Sequence, residues 1–422
     1  VVASCTVAHT RYCGGMDDSM NLIFDPAQAL ESSAFHGRVQ SSEDQHRLDI
    51  VAKERTSALP WRGQFSPQLV EYLLSRHSEA GKTIVDPFCG SGTVLHEAAR
   101  SGAHAHGFDV NPAAICLAKV SELSNLDMAA RWALIDSLRA FSHRLGSLTP
   151  SHGMISCADA VAAIDASRDD PVTRTALEGF LLFAFTNGTA ISPPNLRRAT
   201  ERYLSVLADL RQTNCTIMAQ VGDARSIPAD PATFDYMITS PPYINVFNYH
   251  QNYRPIIEAL GHSPLAAAKS EIGANRKFRQ NRYMTVVQYC MDMAWFFVEA
   301  RRILKDSAKL TIVLGRESNV RSVSYRNGEL ISAIACEGIG FKLIDWHERK
   351  FTNRFGEAIF EDVLTVVPAT ATLEHALGIG RAVGRQALEN SLEYCPIDRR
   401  AEIEAAIESA NSIEPSQISG AI

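Results

Sequence analysis

The spacing of apolar residues changes period several times along the 422-residue chain, and each change marks an element. Residues 1–50 are polar and irregular, with a short helix expected around 27–33. From Phe65 the pattern sharpens: Pro67 opens a helix that carries Leu69, Val70, Leu73 and Leu74 on one stripe. A short buried strand is predicted over 82–86, a helix over 94–101 and a second strand over 103–108. Helical spacing dominates 113–121, 129–145, 173–185 and 195–212, with a loop over 150–170. Strands resume at 216–221 and 234–239, and a polar stretch over 245–283 leads to a helix over 286–304. A strand over 309–314, a helix over 328–337 and two consecutive strands, 341–348 and 362–367, complete the run. Residues 371–422 read as amphipathic helices with a polar end. Strand and helix alternating in this way predict a three-layer α/β fold with a largely parallel sheet.

Composition narrows the class. With 46% hydrophobic and 21% charged residues, the chain is neither a disordered tail, a collagen nor a coiled-coil rod. No apolar run approaches the ~20 residues of a membrane span, and no basic segment followed by an apolar core opens the chain. A soluble, cytoplasmic protein with no membrane partner is expected. Nine scattered cysteines form no C-x-x-C pair, so neither a metal site nor a disulfide framework is indicated.

The net charge of −6 argues at first against a nucleic-acid partner. Its distribution weakens that objection. Residues 1–50 hold three Arg and seven acids, residues 371–422 four Arg and eight acids, so each end carries −4 and the middle +2. Within the middle, 269–354 has sixteen Lys/Arg against nine acids, a local +7.

The first chemical landmark is Asp86-Pro87-Phe88-Cys89-Gly90-Ser91-Gly92-Thr93 at a strand-to-helix turn. Glycines there let backbone approach a ligand closely, and the helix beyond offers free N–H groups. No Lys follows the turn and Asp86 precedes it, so a cationic ligand suits it better than a phosphate. Asp109, at the tip of the next strand, is placed to hold ribose hydroxyls. Asp223, after a third strand, is placed to accept from an adenine amine. Ribose, adenine and a positive charge together describe S-adenosylmethionine.

Asp86-Pro-Phe-x-Gly-Ser-Gly-Thr93, followed by Phe108-Asp-Val-Asn-Pro112, resembles the cofactor motif of amino-group DNA methyltransferases. So does Pro60-Trp-Arg-Gly-Gln-Phe-Ser-Pro67 ahead of the Leu-rich helix. The resemblance implies a class I methyltransferase (Rossmann-like) fold with a seven-stranded, mostly parallel sheet over 60–368. It would carry a helical insertion at 112–215, a polar extension at 1–59 and a helical tail at 369–422. It also implies cofactor contacts at Phe65, Ser66, Pro67, Asp86, Pro87, Phe88, Gly90, Gly92, Thr93, Asp109, Asn111, Asp223 and Ala224.

The second landmark, Ser240-Pro241-Pro242-Tyr243, follows the strand ending at Thr239. Two prolines stop the strand and stiffen the backbone, aiming the Ser240 hydroxyl and the Pro241 carbonyl at one point. These two acceptors suit the protons of a planar amine, and Tyr243 supplies a stacking face. The tetrapeptide resembles the catalytic motif of N4-cytosine and N6-adenine DNA methyltransferases. Ser at its first position favours N4-cytosine, although many enzymes of this type place the catalytic motif before the cofactor motif. N6-adenine and a tRNA base amine remain as alternatives. The first 50 residues, short for an RNA-binding domain, favour DNA, as the intact acids and tetrapeptide disfavour a non-catalytic binder. Reaching a base amine in duplex DNA implies base flipping. DNA contacts are expected from Asn245, Asn248, Tyr249, Arg276, Lys277, Arg279 and Arg282 in a recognition loop over 244–285. Arg349, Lys350 and Arg354 form a second basic group. A cognate restriction endonuclease or defence system is a further candidate partner.

Overall fold

The computed structural model describes residues 24–35, 45–147, 153–165, 170–186, 188–244, 251, 253–274, 278–353, 356–369 and 375–419. Seven strands form one sheet: β1 (Thr83–Asp86), β2 (His104–Asp109), β3 (Ile217–Val221), β4 (Phe234–Thr239), β5 (Leu304–Gly315), β6 (Phe341–Thr352) and β7 (Ala358–Pro368). Their order across the sheet is β6-β7-β5-β4-β1-β2-β3. The β1, β2, β3, β4 and β5 pairings are parallel, while β7 runs antiparallel to both β5 and β6. This is the class I methyltransferase sheet. Strand order reverses between β1 and β4, so a crevice opens beyond their carboxyl ends, where Asp86 and Ser240 sit.

Period-two alternation assigns the strand residues to two faces. Ile84, Ala105, Ile238 and Val313 face one core with α1 (Pro67–His77) and α2 (Thr93–Ser101), through Leu69, Val70, Leu73, Val94 and Leu95. Val85, Met237, Ile312, Leu314 and Leu364 face the other, against α3 (Met284–Ile303). Almost every turn of α3 is buried, because α4 (Ala376–Ser391) covers its outer side. Ala29 and Leu30, from the helix Pro26–Phe35, join that same core. Between β2 and β3, helices Met128–Ser147, Pro171–Ala184 and Pro193–Asp209 enclose a third core. Ile256 and Ile257 from the helix Arg254–Ala259 enter that core too.

The structure differs from the sequence pattern in places. The loop expected over 150–170 contains a helix, Cys157–Asp165, and the polar stretch contains Arg254–Ala259 and Pro264–Ala267. The last two strands are longer than their apolar cores. Arg349↔Glu361 lies level with Glu361↔Gly315, where β5 stops, and Lys350↔Phe360 continues the ladder past it. Cross-strand pairing sustains these polar residues as strand where apolar alternation gives no signal. The β6–β7 hairpin therefore projects beyond the sheet on the crevice side. No helix among the described residues is long and apolar enough to cross a membrane.

The α3–α4 crossing depends on glycine. A Cβ at Gly380 would lie 2.5 Å from the Cys290 carbonyl oxygen, and one at Gly384 2.6 Å from Val287 Cα. Gly380→Ala gains about 1 kcal/mol of helix propensity. It also drives a methyl into backbone that cannot retreat, at about 1–3 kcal/mol or more. Net destabilisation is expected, read as a lower denaturant midpoint; a raised midpoint would show that the helices can separate without loss.

Candidate active site

The crevice is built from the glycine turn outward. Positive φ values at Gly90 (50°) and Gly92 (84°) fold the chain from β1 into α2. Cys89 N–H donates to Phe108 O (2.9 Å) and Gly90 N–H to Asp109 Oδ2 (3.1 Å), so the turn is tied to β2. The Trp61 segment closes over it. A Cβ at Gly90 would stand 2.9 Å from Trp61 Nε1, and Ser91 Oγ bonds Gln64 Oε1 at 3.1 Å. Arg55 grips Glu97 of α2 with two bonds from one nitrogen (2.9 and 3.0 Å), fixing the start of this segment.

These parts wall a crevice of about 840 Å³, a volume that includes space open to solvent. Of the residues expected to touch cofactor, Phe65, Pro87, Phe88, Gly90, Thr93, Asp109, Asn111, Asp223 and Ala224 line it. Ser240 and Pro242 line the same cavity, so the glycine turn and the S-P-P-Y motif share one space. Ser66, Pro67, Gly92 and Asp86 are not in its wall, nor are Pro241 and Tyr243.

The three acids divide by role. Asp109 accepts from Asn111 N–H on Oδ1 (2.9 Å) and from Gly90 N–H on Oδ2, leaving acceptor capacity on both oxygens. Burial pushes its carboxyl up to about 6. Asp86 stands behind the wall, where Oδ1 accepts from the Thr239 hydroxyl (2.6 Å) and from Phe88 N–H (3.1 Å). Burial raises it to about 7, so it is an internal brace between β1 and β4 rather than a cavity-lining anion. Asp223 also departs from expectation. Its Oδ1 accepts from Arg225 N–H and Nε–H, and its Oδ2 from an Arg225 terminal nitrogen and Ser419 N–H. With both oxygens doubly occupied, no lone pair is left for an adenine amine.

The sequence pattern gave no sign of Ser270, Glu271 and Ile272, which form a wall facing Asp109. Glu271 is 8% exposed, and its charge adds to what raises Asp109. A buried acid at the end of a short helix in a polar stretch carries no periodic signal; only its acidic type stood out from the basic run around it. The loop expected to recognise DNA thus contributes to the cofactor cavity.

Tyr243, three residues after Ser240, packs on β5: a Cβ at Gly315 would lie 3.0 Å from its Cε2, so the ring packs on bare backbone. Among the expected DNA contacts, Arg279 and Lys350 are exposed and Arg282 is half-buried. Arg349 is 3% exposed, pairs with Glu361 at 3.3 Å and lies over the Phe351 ring at 4.8 Å. Burial lowers its pKa, and it is committed inside the hairpin rather than offered to phosphate. Asn245, Asn248, Tyr249, Arg276, Lys277 and Arg354 lie outside the described residues. No cluster of His, Cys, Asp and Glu suited to a metal occurs among the described residues.

Residues 26–120, which span the Trp61 segment, the glycine turn and Asp109, match the DNA methylase family of the N6/N4 type. This segment resembles that of an amino-group DNA methylase. A Type II methyltransferase, M.MjaII of Methanocaldococcus jannaschii, is 40% identical over 108 residues, which is 24% of this chain and 20% of that protein. The chain therefore spans about a fifth of the length of the curated relative it matches. Among solved structures, a SAM-dependent methyltransferase of Methanosarcina mazei aligns at 12% identity over 71% of this chain and 98% of its own, TM-score 0.34. Another from Aquifex aeolicus aligns at 11% identity over 82% and 100%, TM-score 0.29.

S-adenosylmethionine is the cofactor of this family and fold, and the residues in the cavity fit it. Asp109 and Glu271 are acceptors for hydroxyl and amine donors, and Phe88 and Ile272 give apolar sides for a flat base. Trp61 and Phe65 bring aromatic rings suited to a sulfonium cation.

The buried acids predict a pH signature. A carboxyl raised by folding stabilises the protein at low pH, and that contribution is lost as pH rises from the ordinary carboxylate range through the folded value. Asp86→Asn removes the titration and keeps an acceptor for Thr239. Its stability relative to the unmodified chain should rise by a few kcal/mol between pH 4.5 and pH 8 in denaturant titrations. A difference independent of pH would mean that Asp86 titrates normally.

Proposed function

We propose that this chain is a DNA methyltransferase that transfers a methyl group from S-adenosylmethionine to the exocyclic amine of a flipped base. Cytosine N4 is the favoured acceptor and adenine N6 the alternative. The observation that carries the proposal is the lining of a single cavity by both Ser240 and Asp109. Bound there, the cofactor supplies an electrophilic methyl carried on a sulfonium.

The chain's own residues handle the amine. An exocyclic amine is a weak nucleophile because its lone pair is delocalised into the ring. Ser240 Oγ accepts one amine proton, and the Pro241 carbonyl accepts the other. Both bonds favour a pyramidal nitrogen with a localised lone pair. The Thr239–Asp86 bond fixes the motif against the glycine turn, and so sets the amine's position relative to the methyl donor. Tyr243, backed by Gly315, stacks on the base, a contact worth about 1–3 kcal/mol in single-strand binders. Asp109 and Glu271 hold the cofactor's hydroxyl and amine groups. Ser at the first position of the tetrapeptide supports cytosine over adenine.

Incubation with methyl-labelled cofactor and DNA, followed by digestion to nucleosides, should yield N4-methylcytosine. N6-methyladenine would establish the alternative, and label in neither would reject the proposal. Ser240→Ala should lower turnover by roughly two orders of magnitude with cofactor affinity retained. An unchanged rate would show that Ser240 does not touch the amine.

DNA approaches from the crevice side, where the β6–β7 hairpin projects. Lys350 is exposed there, with Nζ 5.5 Å from the centroid of Phe360. Lys350→Ala should weaken binding uniformly across sequences and reduce the slope of log affinity against log salt by about 1. A slope identical to that of the unmodified chain would remove Lys350 from the interface.

A further inference from the structure

Arg225 is fully buried, one residue beyond the cavity-lining Ala224. Its Nε and one terminal nitrogen bond the two oxygens of Asp223 at 2.9 and 2.8 Å. The other terminal nitrogen bonds Asp292 of α3 at 2.7 Å and the Ser416 carbonyl at 2.9 Å. The guanidinium also donates to the carbonyls of Gln417 (2.8 Å) and Ser270 (3.3 Å).

Residues 416–419 answer from their side. Ser416 donates to Asp292 through N–H (2.9 Å) and Oγ (2.7 Å), and Ser419 N–H donates to Asp223 at 3.0 Å. One cation and two carboxylates are out of water here, a costly arrangement unless every charge keeps its partners. This segment supplies two acceptors to the cation and three donors to the carboxylates. Two further members of the cluster, Asp223 and Ser270, both line the cofactor cavity.

We infer that segment 414–419 is a working part of the cofactor site: docked on Arg225, it holds the Asp223–Ala224 and Ser270–Glu271 walls at the spacing that S-adenosylmethionine requires. Arg225 is a positioning residue, since its donors are all turned toward protein acceptors. Undocking the segment strips partners from three buried charges, and the cluster can recover them only by drawing water or shifting the walls. Because coupling between binding events is reciprocal, the cofactor holds the segment down as much as the segment holds the cofactor.

The inference rests on the cofactor reading, and the experiment separates the two. Cofactor affinity is measured by calorimetry for the intact chain, for a chain ending at Ile413 and for Arg225→Lys, which keeps the charge but loses the fork. Amide exchange at Ser416 and Ser419 is followed in the intact chain with and without S-adenosylmethionine. Both variants should bind the cofactor at least about tenfold more weakly, with turnover at saturation little changed. Cofactor should slow exchange at both amides. A folded truncated chain that binds as tightly as the intact one overturns the inference. If truncation prevents folding, the intact chain decides: amide exchange indifferent to bound cofactor overturns it, and slowed exchange supports it. Failure of the intact chain to bind S-adenosylmethionine rejects the cofactor reading itself and the inference with it.

Discussion

The bond from the Thr239 hydroxyl to Asp86, 2.6 Å long and shielded from water, is the constraint on which the site depends. It joins the last residue of β4 to the last residue of β1, where strand order reverses. Each of these strands leads into a different chemical device: β1 into a glycine turn, β4 into a pair of prolines. A change in their separation would shift the glycine turn relative to the prolines. Burial raises Asp86 to about 7, which is the cost of placing the brace in the interior. The neutral acid and the carboxylate can both accept from Thr239, so the link survives either state.

Part of the positive charge in 269–354 is met by acids outside that segment. Lys305 pairs with Asp235 at 2.9 Å, Arg349 with Glu361 at 3.3 Å and Arg321 with Glu402, while Arg316 pairs with Glu348 within the segment. Arg316 also lies over the Phe360 ring at 4.0 Å, on the face of the hairpin that Lys350 shares. A segment charge of +7 therefore overstates what can meet phosphate. Among the described residues of this segment, Lys269, Arg279, Arg321, Arg326, Lys342 and Lys350 are the exposed cations, spread along it.

The two ends of the described chain are not appendages in packing terms. Ala29 and Leu30 at one end, and Val383 and Leu388 at the other, lie in one core with the sheet. α4 is what makes α3 an interior helix. Its glycines permit backbone contact, and segment 414–419 continues from that layer to the cofactor cavity. The described helices of both acidic ends are covers whose apolar residues join the core.

What the sequence determined by itself was local. Apolar periodicity marked all seven sheet strands to within a few residues at their apolar cores, since most centre on a short apolar run; β2, His104–Asp109, has only Ala105 and Phe108. The glycine turn, Asp109 and the S-P-P-Y motif were legible because each is a strand-end device whose chemistry depends on adjacent residues. Tertiary structure alone decided which acids were free. Asp223 looked like Asp109, but Arg225 and Ser419 fill its lone pairs from positions two and 196 residues away. Arg349, expected at phosphate, is buried on Glu361, and Glu271 lines the cavity unforeseen, because burial and pairing depend on neighbours distant in the chain. Polar side chains carry no period that records which way they turn. Their roles emerge only when the fold brings the opposite charges within reach.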